Sequence, residues 1–132
     1  MKETANNFIK RNSQKYCKGT IIKPEDIGRK GKLVFEFVED RIYCQQTNLP
    51  EKVFFLDKLK KLDYEGKISF PHGWHKGEIE YRLGYYIISQ FGKRKGNWIF
   101  GQFNPIIPLN DLKKLLQEAK NKGAINSKFK IV

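Results

Sequence analysis

Between residues 78 and 88, apolar side chains fall at every second position: Ile79, Tyr81, Leu83, Tyr85 and Ile87 alternate with Glu78, Glu80, Arg82 and Gly84. A period of two sends the two sets to opposite faces of a strand, so the pattern predicts a strand that buries the five apolar residues. The stretch "NWIFGQF" predicts a second strand, and "QFGKRKGNW" lies between the two as a turn. A turn of that length needs positive φ somewhere, and Gly92 and Gly96 supply it. Pro105 and Pro108 in "NPIIP" then impose an extended approach to the next element.

Elsewhere the period changes. Ala5, Phe8, Ile9, Tyr16 and Cys17 make a helical stripe over residues 4–17, with Gly19 as its stop. Ile21–Ile22 predicts a short strand, and Pro24, Gly28 and Gly31 make the segment after it turn-rich. "KLVFEFVEDRIYCQQ" predicts either a hairpin turning near Glu39 and Asp40 or one long bent strand. Residues 50–66 predict a helix. Pro50 and Glu51 suit its first turn, Phe55, Leu56, Leu59 and Leu62 form one face, Lys58, Lys60 and Lys61 lie outward, and Gly66 ends it.

"NDLKKLLQEAKNKG" predicts the last helix, with Asn110 as N-cap, an apolar stripe of Leu112, Leu115, Leu116 and Ala119, and Gly123 at the end. The tail "AINSKFKIV" predicts an edge strand. Together these give a single compact α+β domain over residues 1–132, in the order α-β-β-α-β-β-α. The mainly antiparallel β-sheet has four or five strands, with helices packed on one side.

Composition is consistent with a folded chain: 132 residues, 39% hydrophobic and 14% aromatic, are enough for a core. No apolar run approaches the ~20 residues that span a bilayer. The N-terminal residues lack the apolar centre of a secretion signal, so a cytoplasmic location is expected, with Cys17 and Cys44 as free thiols.

Charge changes the picture most. Lys and Arg total 26 against 14 acids, a net +12. Residues 67–132 hold 12 cations and 4 anions, leaving +8 in that half. Such a field attracts phosphate-rich partners. An abundance of Lys, Ile and Asn also accords with biased genomic composition, and lysines at a hairpin tip keep an edge soluble.

The candidate binding residues cluster at the predicted turn. Lys93, Arg94 and Lys95 place three cations together, Phe91 and Trp98 flank them, and Arg82 extends the patch from the polar face of the preceding strand. Cations that follow phosphates beside aromatic faces that stack on bases are a recurrent arrangement in single-strand binding. The leading expectation is non-specific binding of DNA or RNA, without a cofactor or metal.

Two other function classes are consistent with the residues. His72 and His75 lie in the Gly-rich stretch "PHGWHKGEIE" near Glu80 and Arg82. A histidine as general base or acid, with an arginine on the phosphorane, is the chemistry of metal-independent RNA cleavage. A Lys-rich helix, a hairpin containing "YRLGYYIIS" and a basic C-terminal helix across residues 54–122 resemble in layout the small RelE-type ribonuclease toxins. That resemblance implies an antiparallel sheet carrying one or two helices, and ribonuclease activity. The third class is an interaction module whose exposed aromatics meet another protein. Residues Gln102 and Asn104, beside Gly101, are candidate ligand-lining groups. No phosphate-binding G-x-x-x-x-G-K-[ST], nucleophile-elbow G-x-S-x-G or zinc-binding H-E-x-x-H occurs.

Overall fold

The computed structural model describes residues 2–26, 30–101, 104–126 and 128. Helix α1 (Ala5–Ser13) precedes strands β1 (Ile21–Ile22), β2 (Lys32–Phe37), β3 (Ile42–Gln45), β4 (Lys52–Glu65), β5 (Ile79–Ile88), β6 (Trp98–Phe100) and β7 (Ile106–Pro108), and helix α2 (Leu109–Asn121) follows. The fold is α+β, with one curled antiparallel sheet.

Two long strands make its centre. β4 and β5 run antiparallel from Lys52 opposite Ile87 to Lys60 opposite Ile79. Each is flanked on its other edge by two short strands lying end to end. β2 pairs with the far half of β4, from Lys32 opposite Glu65 to Phe37 opposite Leu59, and β3 with the near half, from Ile42 opposite Leu56 to Gln45 opposite Val53. β6 and β7 divide the free edge of β5 in the same way, at residues 86–88 and 80–82. Residues 32–45 therefore follow β4 as one long bent strand, and do not fold back on themselves as a hairpin. β1 adds to the outer side of β2.

The helix predicted over residues 50–66 is a strand. Val53, Phe55, Asp57, Leu59 and Lys61 all point inward and are buried. Asp57 and Lys61 in that row break the apolar alternation, and what remains visible in the sequence is the spacing of Phe55, Leu56, Leu59 and Leu62. Two neighbouring strands on one side and one long strand on the other outweigh that local spacing. The order α-β-β-α-β-β-α is corrected accordingly, as is the layout likeness to RelE-type toxins, which relied on a Lys-rich helix here.

β5 is a strand as expected, but it buries the opposite face. Arg82, Tyr86 and Ile88 are buried, whereas Ile79, Tyr81, Tyr85 and Ile87 are half-buried and Leu83 is exposed. The inner face holds the core: Phe35, Phe37 and Leu59 pack in one group, and Phe8 of α1 packs with Phe55 and Tyr86 in another. The Thr4 hydroxyl caps α1 by accepting from Asn7 N, and Ala5 and Phe8 are its buried apolar residues.

The outer face keeps the more regular apolar row partly open, with Ile42, Phe54 and Leu83 exposed. α2 contacts β7 and β5 and buries none of its described residues, whereas α1 packs Phe8 into the core. The N-cap position of α2 is Pro108, two residues earlier than the Asn110 cap expected. The expected edge strand at residues 124–132 lies mostly outside the described residues, as do Gly28 and Gln102. Among the described residues no helix is long and apolar enough to cross a membrane.

Candidate functional site

Both interruptions in the flanking strands come level with the middle of the sheet. The gap between β2 and β3 falls beside Asp57, and Arg41 enters from it. The gap between β6 and β7 falls beside residues 83–85, and Asn104 enters there. Asp57 and Arg82 are direct cross-strand partners on β4 and β5. Two arginines distant in sequence, Arg41 and Arg82, thus converge on one carboxylate.

Arg41 grips Asp57 with two hydrogen bonds, Nε to Oδ1 at 2.7 Å and Nη2 to Oδ2 at 3.0 Å. Arg82 Nε donates to the same Oδ2 at 3.0 Å. Arg41 and Asp57 side chains are fully sealed, and the Arg82 side chain is 10% exposed. The remaining Arg41 nitrogen, Nη1, donates to the Tyr86 hydroxyl at 2.7 Å and to Asn12 Oδ1 at 3.2 Å. Asn12 Oδ1 also accepts from the Tyr43 hydroxyl. Rings of Tyr16 and Phe55 lie on the Arg41 guanidinium, each with its centroid 3.9 Å away, so cation–π attraction supplements the ion pair.

Burial sets the electrostatics of this cluster. Loss of water pushes the Tyr43 phenol up to about 12 and also raises that of Tyr86. Burial works against the charged form of Arg41, but its hydrogen bonds to Asp57, the attraction of that charge and Tyr86 together outweigh it, and its pKa is raised. One carboxylate serves two guanidiniums, so one positive charge stays uncompensated within the cluster. The Nη groups of Arg82 make no hydrogen bond to any described residue, and they are the cluster's open side.

Two cavities meet at that side chain. One, of about 360 Å³, is lined by Arg82, Arg11, Lys15, Tyr16, Trp98 and Phe100 among others. The other, of about 610 Å³, shares Arg82 and Phe100 and adds Glu25, Asp26, Ser69 and Asn104. The first is basic and aromatic, and the second is apolar with two carboxylates. Asn104 itself is held by Tyr85 N, which donates to its Oδ1 at 3.2 Å, and by its Nδ2, which donates to Gly101 O. Gly101 is buried. Tyr85 atoms would lie 2.7 Å from a Cβ at Gly101, so the space beside it is occupied by a ring.

A second charged group lies along the same strand. Lys61 is 3.2 Å from both Glu78 and Glu80, with the Trp74 ring centroid 4.6 Å from its ammonium. The Lys61 hydrogen bond holds the exposed Glu78 carboxyl below its ordinary pKa.

The predicted site residues therefore separate into three places. Lys93, Arg94, Lys95 and Phe91 lie together on the β5–β6 loop, all exposed. Arg82 belongs to the buried Asp57 cluster and does not extend the loop's patch, because its strand faces inward at even positions. Trp98 is half-buried, stacked on Phe8 at 4.8 Å with Nε1 donating to Glu3 O, so its face is taken by the core. His72 and His75 are exposed, on and just after a 3-10 turn at Pro71–Gly73, and neither lines either of the two cavities described above. Glu80 is engaged by Lys61. The arrangement of histidine, Glu80 and Arg82 around one phosphate is not assembled. No group of three or more His, Cys, Asp or Glu able to hold a metal occurs among the described residues. Both cysteines are free, Cys17 half-buried and Cys44 exposed.

Sequence reasoning missed Arg41, Asp57, Asn12, Tyr43 and Tyr86. One signal was present: a lone acid in the alternating row Val53, Phe55, Asp57, Leu59 must find cations if the row is buried. No protein-family model matches the chain, and no curated protein or solved structure is significantly similar to it.

Proposed function

We propose that the protein binds nucleic acid through the β5–β6 loop, with Lys93, Arg94 and Lys95 against phosphates and Phe91 stacking on a base. One observation supports this above the others. Phe91 is 86% exposed, and none of the three adjoining cations is within ion-pair distance of a carboxylate among the described residues. A bare aromatic ring beside unpaired cations suits a ligand that offers both phosphate and a π-face.

The loop is also tied at its neck. Ser89 N donates to Asn97 O, Gly96 N to Ser89 O and Lys95 N to Gly92 O. Gly92 and Gly96 take φ values of 75° and 85°, which make the turn tight. A preorganised tip loses less conformational freedom on binding. In this reading Arg82 and Trp98 have no part in the contact.

Fluorescence anisotropy of a labelled single-stranded oligonucleotide tests the stacking. Phe91→Ala should weaken binding roughly five- to 150-fold, the range for loss of one stacked base at about 1–3 kcal/mol. Unchanged affinity would remove the stacking role.

A further inference from the structure

The cleft around Arg82 lies apart from the 91–95 loop. We infer that it takes a nucleotide phosphate monoester, with the phosphate in the basic cavity and the base in the larger one. Arg82 carries the inference. Its Nε is fixed by Asp57, its Nη groups make no hydrogen bond to a described residue, and it lines both cavities, while the cluster behind it holds one positive charge in excess. A charge in a site shielded from water attracts an anion far more strongly than a surface lysine does.

The neighbouring groups agree with that placement. Lys15 is exposed at the same cavity and has no ion pair to a described carboxylate, whereas Arg11 is already held by Glu3 at 2.8 and 3.0 Å. Phosphate is excluded from the larger cavity, where Glu25 and Asp26 would repel it. Phe100 is 45% exposed and lines both cavities, so it offers a stacking face between the two halves of the ligand. The volumes fall in the ~300–1,000 Å³ range of small-molecule sites. No residue of the 91–95 loop lines either cavity, so the inference does not depend on the loop's role.

Calorimetric titration of the full chain with adenosine 5′-monophosphate, adenosine and inorganic phosphate tests it. The nucleotide should bind at least tenfold more tightly than adenosine, and Lys15→Ala should weaken the nucleotide several-fold while leaving adenosine unchanged. Arg82→Gln should abolish nucleotide binding, and the exposed Lys15→Ala decides the matter if that variant does not fold. Equal affinity for nucleotide and nucleoside, or a nucleotide affinity indifferent to Lys15→Ala, would overturn the inference.

A short oligonucleotide with and without a 5′-phosphate separates the two sources of this chemistry. Tighter binding of the phosphorylated strand than of the free nucleotide assigns the site to strand ends, and the reverse assigns it to free nucleotides. Replacing Lys93, Arg94 and Lys95 by Ala should leave nucleotide binding intact, so failure of the loop reading and failure of this one give different results.

Discussion

Asp57 Oδ2 accepts from Arg82 Nε at 3.0 Å, and the two residues are direct partners across the central strand pair of the sheet. The same carboxylate holds Arg41, so a single acid neutralises half of the charge that the two guanidiniums, one from β5 and one from the β2–β3 gap, bring to it. Without it two guanidiniums would face each other, one of them, Arg41, sealed from water.

Asp57→Ala should therefore cost about 3–5 kcal/mol, the usual penalty for leaving a buried charge without its partner. Urea unfolding of wild type and variant measures it. A loss below about 1 kcal/mol would mean that the arginines reach solvent or another acid.

Alkaline pH should destabilise the fold through the phenols. In the unfolded chain a tyrosine ionises near pH ~10, whereas Tyr43 is pushed up to about 12 and Tyr86 is raised as well. A raised folded pKa means that stability is fully present below the unfolded value and falls as pH climbs from there toward the folded value. Urea midpoints followed from pH 8 to 11.5 should be level and then drop, with a shallower drop in Tyr43→Phe. A midpoint flat across the whole range would show that both phenols titrate normally.

The inward parity of the sheet predicts which apolar residues matter. Phe37, 1% exposed, should cost about 3–5 kcal/mol on truncation to Ala. Ile42, 60% exposed on the outer face, should change stability by no more than about 0.5 kcal/mol on replacement by Thr. The opposite ranking in denaturant unfolding would reverse the assignment of faces.

Much of this was legible in the chain, and the exceptions share a cause. α1, α2 and β5 were recognisable because their apolar spacing matches one period. β4 was misread as a helix, and β5 was given the wrong buried face, because Asp57, Lys61, Glu80 and Arg82 occupy inward positions. Those residues are acceptable inside only because partners from other strands meet them, and a partner such as Arg41 is invisible to any local window. The candidate site was hidden for the same reason: its chemistry lies on the face that looked polar. The loop tip, by contrast, needs only local sequence, and Lys93 to Lys95 are as exposed as their pattern implied.

Gly84 should not tolerate a side chain. A Cβ there would lie 2.1 Å from Asn104 Oδ1 and 2.3 Å from the Phe55 ring. Phe55 is 2% exposed and backs Arg41, so it has little room to give. Gly84→Ala should cost about 1–3 kcal/mol, the range for overpacking. Thermal unfolding within a degree of wild type would indicate that the Asn104 segment moves aside freely.

The proposed contact of the loop with nucleic acid is tested most directly by the salt dependence of single-strand binding. Each neutralised phosphate contributes roughly 0.7 to the slope of log K against log salt. Replacing Lys93, Arg94 and Lys95 together by Ala should make that slope shallower by about 2 and weaken binding at low salt. Identical slopes for wild type and the triple variant would contradict the assignment of phosphate contacts to this loop.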